Sequence, residues 1–528
     1  MCRARKENVE NIGVLDFETD PFEFGRIPYP FACGIYFSPD NYNLLWERNI
    51  IDKVIGTLRR LNTCVLYAHN GGKFDFHFLI ENAEPQDIQI RNGRIVQMRI
   101  GKVILKDSWP LMPFPLDEYR KTKINYSIFE KNKRNLPVNR KKIESYLFDD
   151  CRFLHELITG FRAIIGPKDT IGSAAFYQMK KLDIPIIHNN ETHDDLFRQF
   201  YFGGRCEAFK KGVFTGPFIY LDINSAYPYA MRFNHPHGRD YLCGQKLPPL
   251  SKLGPCFIRC IADSQGALPL RQPDGLFFPH VKDQEFFATG WEILTGLKTK
   301  TLQIQKIIEA WIPTEFICFN SYIDTFFELR QQARKDNDQI KRLAYKYLLN
   351  AGYGKFAQNP RDFKKYRLAK YGKCVDGYDW ETDFGGISLW SKASYNGTGF
   401  YDVATGASIT GFVRAFLWQA ICDSTGVLYA DTDSLICKSS RVKLSNNLGE
   451  WKLEGKIKRA AIAGKKLYAV EWTKPQDDER FKIASKGARL TFAEIVSLCH
   501  GKTIKWENAA PTFGIKGPSF ITREMTKT

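Results

Sequence analysis

Short apolar runs that end abruptly in polar residues open the chain. IGVLDFE at 12–18 and TCVLYAH at 63–69 have the length and the switch expected of buried strands. RIVQMRIGKVILK at 94–106 breaks at Gly101 as a hairpin would. These runs predict an α/β unit over the first part of the chain. An amphipathic helix is predicted over 144–165 (ESYLFDDCRFLHELITGFRAII), stopped by Gly166-Pro167. PFIYLDI at 217–223 predicts another strand, followed by a turn and a short helix with Pro228 just inside it. The pattern over 322–350 is polar in its middle and apolar at both ends, which predicts a hairpin of two helices. Residues 361–400 lose helical period and read as a β-rich insertion or long loop.

Composition narrows the class. The 528 residues are 44% apolar and 14% aromatic, which excludes disorder, collagen and coiled coil. Lys and Arg number 76 against 58 Asp and Glu, a formal charge of +18 that suggests a polyanionic partner. Nine of these cations lie in 120–142, beside one acid, Glu130. The 13 cysteines are scattered without a CxxC pair, so reduced thiols in an intracellular protein are expected rather than disulfides or a zinc ribbon. Neither a signal-peptide core nor a membrane-length apolar run is present, so neither secretion nor membrane insertion is expected.

The carboxylates carry the chemistry. Asp16 and Glu18 leave one face of a strand at its polar end, Asn70 and Asp75 follow the next strand, and Tyr146 and Asp150 lie one helical turn apart. A lone DxE is ordinarily surface decoration, but this set fits two-metal hydrolysis of a phosphodiester, with Tyr146 positioning water. Asp222 ends the strand FIYLDI, and YADTDSLI puts Asp431 and Asp433 at the tip of a hairpin. An isolated DTD is ordinarily an acidic turn. Two strand-end clusters in apolar flanks, where unpaired charge is costly, point instead to neutralising metal, and all-oxygen ligands suit Mg2+ or Mn2+. Between them, Arg342, Lys346 and Asn350 share one helical face, either as a solvated basic stripe or as a triphosphate clamp. Tyr353, between Gly352 and Gly354, offers a flat face to a base pair.

These residues resemble family B DNA polymerases, and within them the protein-primed group of phages and linear plasmids. LDFET, HNGGKFD and YLFDD resemble the three exonuclease motifs, and DINSAYP, KYLLNAGYG and YADTDS resemble polymerase motifs A, B and C. YFGG at Tyr201–Gly204, LKDSWPLMPFP and KKLYAV resemble the motif coupling the two activities, the segment binding the single-stranded 3′ end, and the KxY motif. All stand in the family's order from Asp16 to Tyr468.

The resemblance implies an α/β multidomain fold, an RNase H-like exonuclease domain followed by a right-hand polymerase of palm, fingers and thumb with an antiparallel-sheet palm. It places the 3′→5′ exonuclease at 1–165, the palm at 166–274 and 401–455, a first insertion at 275–320, the fingers at 321–360, a second insertion for processivity and strand displacement at 361–400, and the thumb at 456–528. It implies two Mg2+ or Mn2+ ions per active site, held by Asp16, Glu18, Asp75 and Asp150 in one and by Asp222 and Asp433 in the other, with Asp431 a weaker ligand. Tyr227, Lys346, Asn350, Tyr353 and Arg342 would meet the nucleotide. Asn70, Ser108, Tyr201, Gly203, Gly204, Lys466 and Tyr468 would meet DNA. Departures are Ala226 for a usual Leu, Ala351 for a usual Ser, Trp109 for a usual Leu, and an extra residue in Gly71-Gly72.

The function so implied is template-directed DNA polymerisation with proofreading, replicating a viral or mobile-element genome. The expected partners are template and primer DNA, dNTPs and a terminal protein as primer, with no membrane. A monomer is expected, in the host cytoplasm if phage-encoded. The alternatives are an oligonucleotide-primed repair polymerase and a nuclease whose polymerase half no longer catalyses.

Overall fold

The computed structural model describes residues 11–187, 191–273, 275–359, 364–384, 386–393, 401–476, 479–514 and 517–527. The first unit is built on a mixed sheet of seven strands, β1 (Ile12–Thr19), β2 (Pro30–Ser38), β3 (Asn41–Trp46), β4 (Cys64–Ala68), β5 (Gln89–Arg91), β6 (Arg94–Ile100) and β7 (Val103–Asp107), in the order β3-β2-β1-β4-β7-β6-β5. β1 and β4 lie mid-sheet, parallel to each other and buried on both faces, which is why they read as near-continuous apolar runs. The hairpin expected at Gly101 joins β6 to β7. Helix α1 (Ile50–Arg60) packs on one face. Helix α2 (Pro137–Ile165) packs on the other and buries Leu147, Asp150, Cys151, Leu154 and Phe161. α2 begins at Pro137, earlier than the apolar period indicates. A proline in the first turn loses no helical hydrogen bond, and the basic residues after it face water, leaving no apolar signal.

A second sheet of seven strands, entirely antiparallel, carries the later motifs. It uses β8 (Cys206–Ala208) and β9 (Gly212–Ile223), then Tyr429–Asp431, Ser434–Cys437, Trp451–Gly464, Leu467–Gln476 and Glu479–Ser485. Beneath it runs the helix Val403–Cys422, buried on nearly all sides. The expected helix pair is present as Asn320–Lys335 and Gln339–Phe356. A four-stranded antiparallel sheet comprises His235–Gly244, Phe257–Gln265, His280–Thr289 and Leu302–Ile317. The boundary placed between 274 and 275 falls inside this sheet, because Phe257–Gln265 pairs with His280–Thr289 along its length. Likewise Trp451–Gly464 crosses the boundary placed at 455 without interruption. The β-rich reading of 361–400 corresponds to three antiparallel strands at Lys364–Lys370, Asp379–Phe384 and Ile387–Ala393; residues 361–363, 385 and 394–400 lie outside the described residues.

One buried cluster joins the two main units, running from Leu147 and Phe161 of α2 through Leu343 and Leu348 to Leu221 and Leu435 of the antiparallel sheet. The described cysteines are free thiols, and among the described residues no helix is long and apolar enough to cross a membrane.

Several of the deepest charges are paired. Arg414 and Glu292 are each 1% exposed and lie 2.7 Å apart. Glu292 also accepts from the Thr289 amide and hydroxyl, closing the first turn of the helix Gly290–Lys298. Glu292→Ala therefore leaves an uncompensated guanidinium in the core, a loss of about 3 to 5 kcal/mol. Calorimetry is expected to show a large fall in melting temperature, whereas Glu285→Ala at the exposed Arg259 pair is expected to have little effect.

Candidate active sites

At the first site, carboxylate oxygens of Asp16, Glu18 and Asp150 lie within 4.8 Å of one another. β1 supplies the first two and α2, crossing it, supplies the third. Asp75 joins them from the short turn after β4, where its Oδ1 accepts the Phe17 amide at 3.2 Å. Burial raises all four carboxyls, Asp75 to about 7, and the repulsion of Asp75 and Asp150 adds to the rise at Asp16. The Asp150 Oδ1 is buried without a hydrogen-bond partner among the described residues, and Lys121 Nζ stands 3.7 Å from its Oδ2. Crowded buried carboxylates with an unsatisfied oxygen suit divalent cations, so these residues fit the metal that the sequence implied. Tyr146 hydrogen-bonds the Tyr126 hydroxyl at 3.1 Å and also Asp150, which puts its phenol beside the cluster.

The register Val14↔Tyr67 sets Asp16 about level with the residues that follow β4. There Asn70 adopts a left-handed conformation, and its Oδ1 accepts from Arg94 at 2.7 Å. Ser108 is fully buried with its hydroxyl 2.9 Å from His69 Nδ1, and His69, lowered to about 4 by burial, is neutral at physiological pH. The extra glycine is explained locally: a Cβ on Gly72 would stand 1.9 Å from the Ile95 carbonyl oxygen.

The second site lies at one end of the antiparallel sheet. Asp222 opposes Ser434, and the Ile223 amide donates to the Asp433 carbonyl at 2.8 Å, so Asp222 and Asp433 share that end. Burial raises Asp222 to about 7, reinforced by Asp433 and Glu454; burial and Asp431 raise Asp433 to about 6. Asp431 differs from both. It is 3.5 Å from Lys466 Nζ and accepts from the Thr432 and Tyr429 hydroxyls, so the protein itself satisfies it. Glu454 was missed by sequence reasoning. The pairing of Trp451–Gly464 with β9 steps from Leu453↔Leu221 to Gly455↔Tyr220, which makes Glu454 the extra residue of a bulge re-aimed toward Asp222. A glutamate followed by glycine inside an otherwise regular strand was the available signal.

Tyr227 and Tyr353 come together as parallel rings with centroids 3.7 Å apart, joining the motif around Asp222 to the helix Gln339–Phe356. Arg342 belongs to a guanidinium cluster with Arg330 and Arg334. Burial and the charges of Arg334 and Arg342 lower Arg330 to about 10; its Nε is buried and unpartnered among the described residues, while its Nη1 donates to Ser225 Oγ at 3.3 Å. Arg330 and Arg334 were also missed, though their i, i+4 spacing was legible. Lys346 is not free in this cluster: its Nζ lies 3.2 Å from Glu118. Asn350 is exposed. Ala226 is 4% exposed within the core, so a larger residue there would have to displace its neighbours.

The YFGG loop is held on two sides, by the helix Val403–Cys422 and by the acidic turn. Arg414 donates to the carbonyls of Phe202 and Gly203 at 2.6 and 3.0 Å, and the Thr432 amide donates to the Arg205 carbonyl at 2.6 Å. A Cβ on Gly204 would stand 2.8 Å from Thr432 Oγ1, so only glycine allows this approach. Tyr201 is half-buried, with its carbonyl bound by Arg271. The Lys466 amide donates to the Tyr429 hydroxyl, and Tyr468 is buried with its hydroxyl 3.2 Å from that of Tyr220. A groove of about 750 Å³ runs between Pro85–Asn92 and the three-stranded sheet, lined by Arg91, Lys355, Lys364, Lys365 and Arg367.

The raised carboxyl of Asp222 has a stability consequence. Its native value near 7 exceeds the ordinary 3.8, so its contribution is present below about pH 4 and is lost as pH rises through 7. In chelator, Asp222→Asn is therefore expected to melt with wild type near pH 4 and above it, by about 2 °C or more, at pH 8. A thermal melt at the two pH values checks this.

A family model described as DNA polymerase type B, organellar and viral, matches residues 103–382. The chain is 37% identical to the DNA-directed DNA polymerase of Enterobacteria phage PRD1 over 93% of this chain and 88% of that one. It is 22% identical to a DNA polymerase of Kluyveromyces lactis, of which it spans 59%. Among solved structures, Phi29 DNA polymerase complexed with primer-template DNA and incoming nucleotide substrates superposes with a TM-score of 0.73, covering 98% of this chain and all of that one at 18% identity, a likeness of fold. The complex of the same polymerase with single-stranded DNA gives 0.74. The resemblance to the protein-primed group and the multidomain polymerase fold are thus borne out, and the chain belongs to the type B DNA polymerases, organellar and viral.

Proposed function

We propose that the chain replicates a viral or mobile-element genome, extending a terminal-protein primer and proofreading with a 3′→5′ exonuclease. The observation that carries this reading is the convergence of Asp222 and Asp433, half-buried and both raised by desolvation and by neighbouring acids, beside the stacked Tyr227–Tyr353 pair and the arginine cluster.

In this reading the chain's own groups divide the work. Asp222 and Asp433 would hold the divalent cations beside the reacting end of the primer, with Glu454 adding to the acidic field and Asp431 held back by Lys466. Mg2+ or Mn2+, two per site, would supply Lewis-acid stabilisation of the charge that develops on the phosphoryl oxygens. Arg330, Arg334 and Arg342 face the triphosphate together with Lys346. Tyr353, flanked by small residues, packs against the new base pair, and Tyr227 lies beneath the sugar. Lys466 grips the primer, and buried Tyr468 braces the strand that carries it.

At the other site Asp16, Glu18, Asp75 and Asp150 take the corresponding role for hydrolysis. Tyr146 orients the attacking water, and Asn70 and Ser108 hold the 3′ end. The YFGG loop, bound to the Asp431–Asp433 turn, passes the strand between the sites. We assign 1–165 to the exonuclease, 321–360 to the fingers and 361–400 to the second insertion. The first insertion is assigned to the sheet from His235 to Ile317. The basic groove beside Lys364 and Arg367 suits a template path.

Asp433→Ala is expected to lose more than about 100-fold of primer extension while retaining degradation, since even an outer partner of a metal ligand is worth about 10- to 100-fold. Asp16→Ala is expected to do the reverse. Gel assays with Mg2+ decide both, and normal extension by Asp433→Ala would defeat the assignment. Priming is tested separately, by covalent transfer of a labelled nucleotide to the co-encoded terminal protein; a strict requirement for an oligonucleotide favours the repair-polymerase alternative.

A further inference from the structure

The turn Leu116–Glu118 connects two parts of the molecule that act at different moments. It follows the segment that carries Ser108, and it ends against the helix Gln339–Phe356. Two oxygens of Glu118 are occupied by that helix: Oε2 accepts from Lys346 Nζ at 3.2 Å and Oε1 from the Tyr347 hydroxyl at 3.1 Å. The Glu118 carbonyl accepts from Gln339 Nε2 at 2.8 Å. Phe114, one turn earlier, stacks on the Tyr347 ring at 4.6 Å. A single carboxylate thus fastens the helix by two side chains, inside a contact that also has an amide and a ring.

The position of Lys346 gives the contact its meaning. On this helix Lys346 shares a face with Arg342, one turn before it, and Tyr353, two turns after it. Both of those face the residues next to Asp222: Arg342 through the cluster whose Arg330 reaches Ser225, and Tyr353 through its stack on Tyr227. The Lys346 ammonium lies between them, yet its charge is directed to Glu118, across the boundary with the first unit.

We propose that Glu118 is a positioning residue for nucleotide addition, a counter-ion latch that holds Lys346 and its helix in the nucleotide-free arrangement and that the incoming triphosphate displaces. The inference rests on the reading of Lys346 as a triphosphate contact. The two side chains are 32% and 34% exposed, so the pair is screened and weak. A polyanion outcompetes a lone carboxylate for the ammonium, and the helix is then released from the exonuclease unit. Until then the competent arrangement is only partly populated, and apparent affinity for the nucleotide is reduced by that fraction.

The test is steady-state primer extension with Glu118→Gln, Lys346→Ala and the double variant, separating KM for dNTP from kcat. Glu118→Gln keeps the shape and the Tyr347 hydrogen bond and removes the charge. The latch requires its KM to fall about two- to fivefold at near-constant kcat, and requires this gain to vanish in the Lys346→Ala background. Lys346→Ala alone is expected to raise KM. If it does so while Glu118→Gln leaves KM unchanged, or if the Glu118→Gln gain persists without Lys346, the latch is wrong and the triphosphate role of Lys346 stands. An unchanged KM in Lys346→Ala overturns that role and the latch with it. Thermal melts of the variants show whether a loss of activity reflects unfolding: a folded Glu118→Gln with raised KM also counts against the latch.

Discussion

The second site depends on one antiparallel register. β9 is paired on one side with Ser434–Cys437 and on the other with Trp451–Gly464, and this places Asp222 and Asp433 at a common end and aims Glu454 at them from a bulge. The cost of gathering buried acids is visible in the raised carboxyls. The surrounding protein limits that cost by satisfying Asp431 with Lys466 and hydroxyls, whereas Asp222 and Asp433 stay raised. A shift of one residue in either pairing would turn one of these side chains to the opposite face.

Around this register, further contacts hold the neighbouring loops and helices in place. The helix Val403–Cys422 supports the sheet from below and presents Arg414 to the YFGG carbonyls. The same loop meets the Thr432 turn through Arg205 and Gly204. On the opposite side, Glu118 fastens the helix that bears Lys346 to the unit that bears Asp16 and Glu18. The first contact is buried and holds the YFGG loop to the second site; the second is half-exposed and joins the first unit to the helix Gln339–Phe356.

Much of this was legible in the chain because the chemistry sits at strand ends, where apolar runs stop in acids. IGVLDFE, FIYLDI and YADTDSLI announce both the strand and its acidic terminus. What escaped depends on pairing across the sheet. Glu454 has no motif of its own; only the bulge between Leu453 and Gly455 directs it to Asp222. Arg330 and Arg334 resemble any solvated helix face until folding brings them beside Arg342. The engagement of Lys346 by Glu118 is a contact between residues far apart in sequence, beyond the reach of periodicity. The sheet crossing residue 275 escaped for a related reason: its strands are separated by loops and a helix, and their partnership is not written in local pattern.

If burial primes Asp222 and Asp433 to exchange protons for divalent cation, metal binding at this site releases protons. Calorimetric titration of Mn2+ at pH 6.5, in two buffers of different ionisation enthalpy, measures the protons released. Asp16→Asn with Asp150→Asn silences the first cluster, so that the signal comes from the second. Proton release on binding is expected, and it is expected to be lost when Asp222→Asn and Asp433→Asn are added. Binding without proton release, or release that survives those two substitutions, would contradict it.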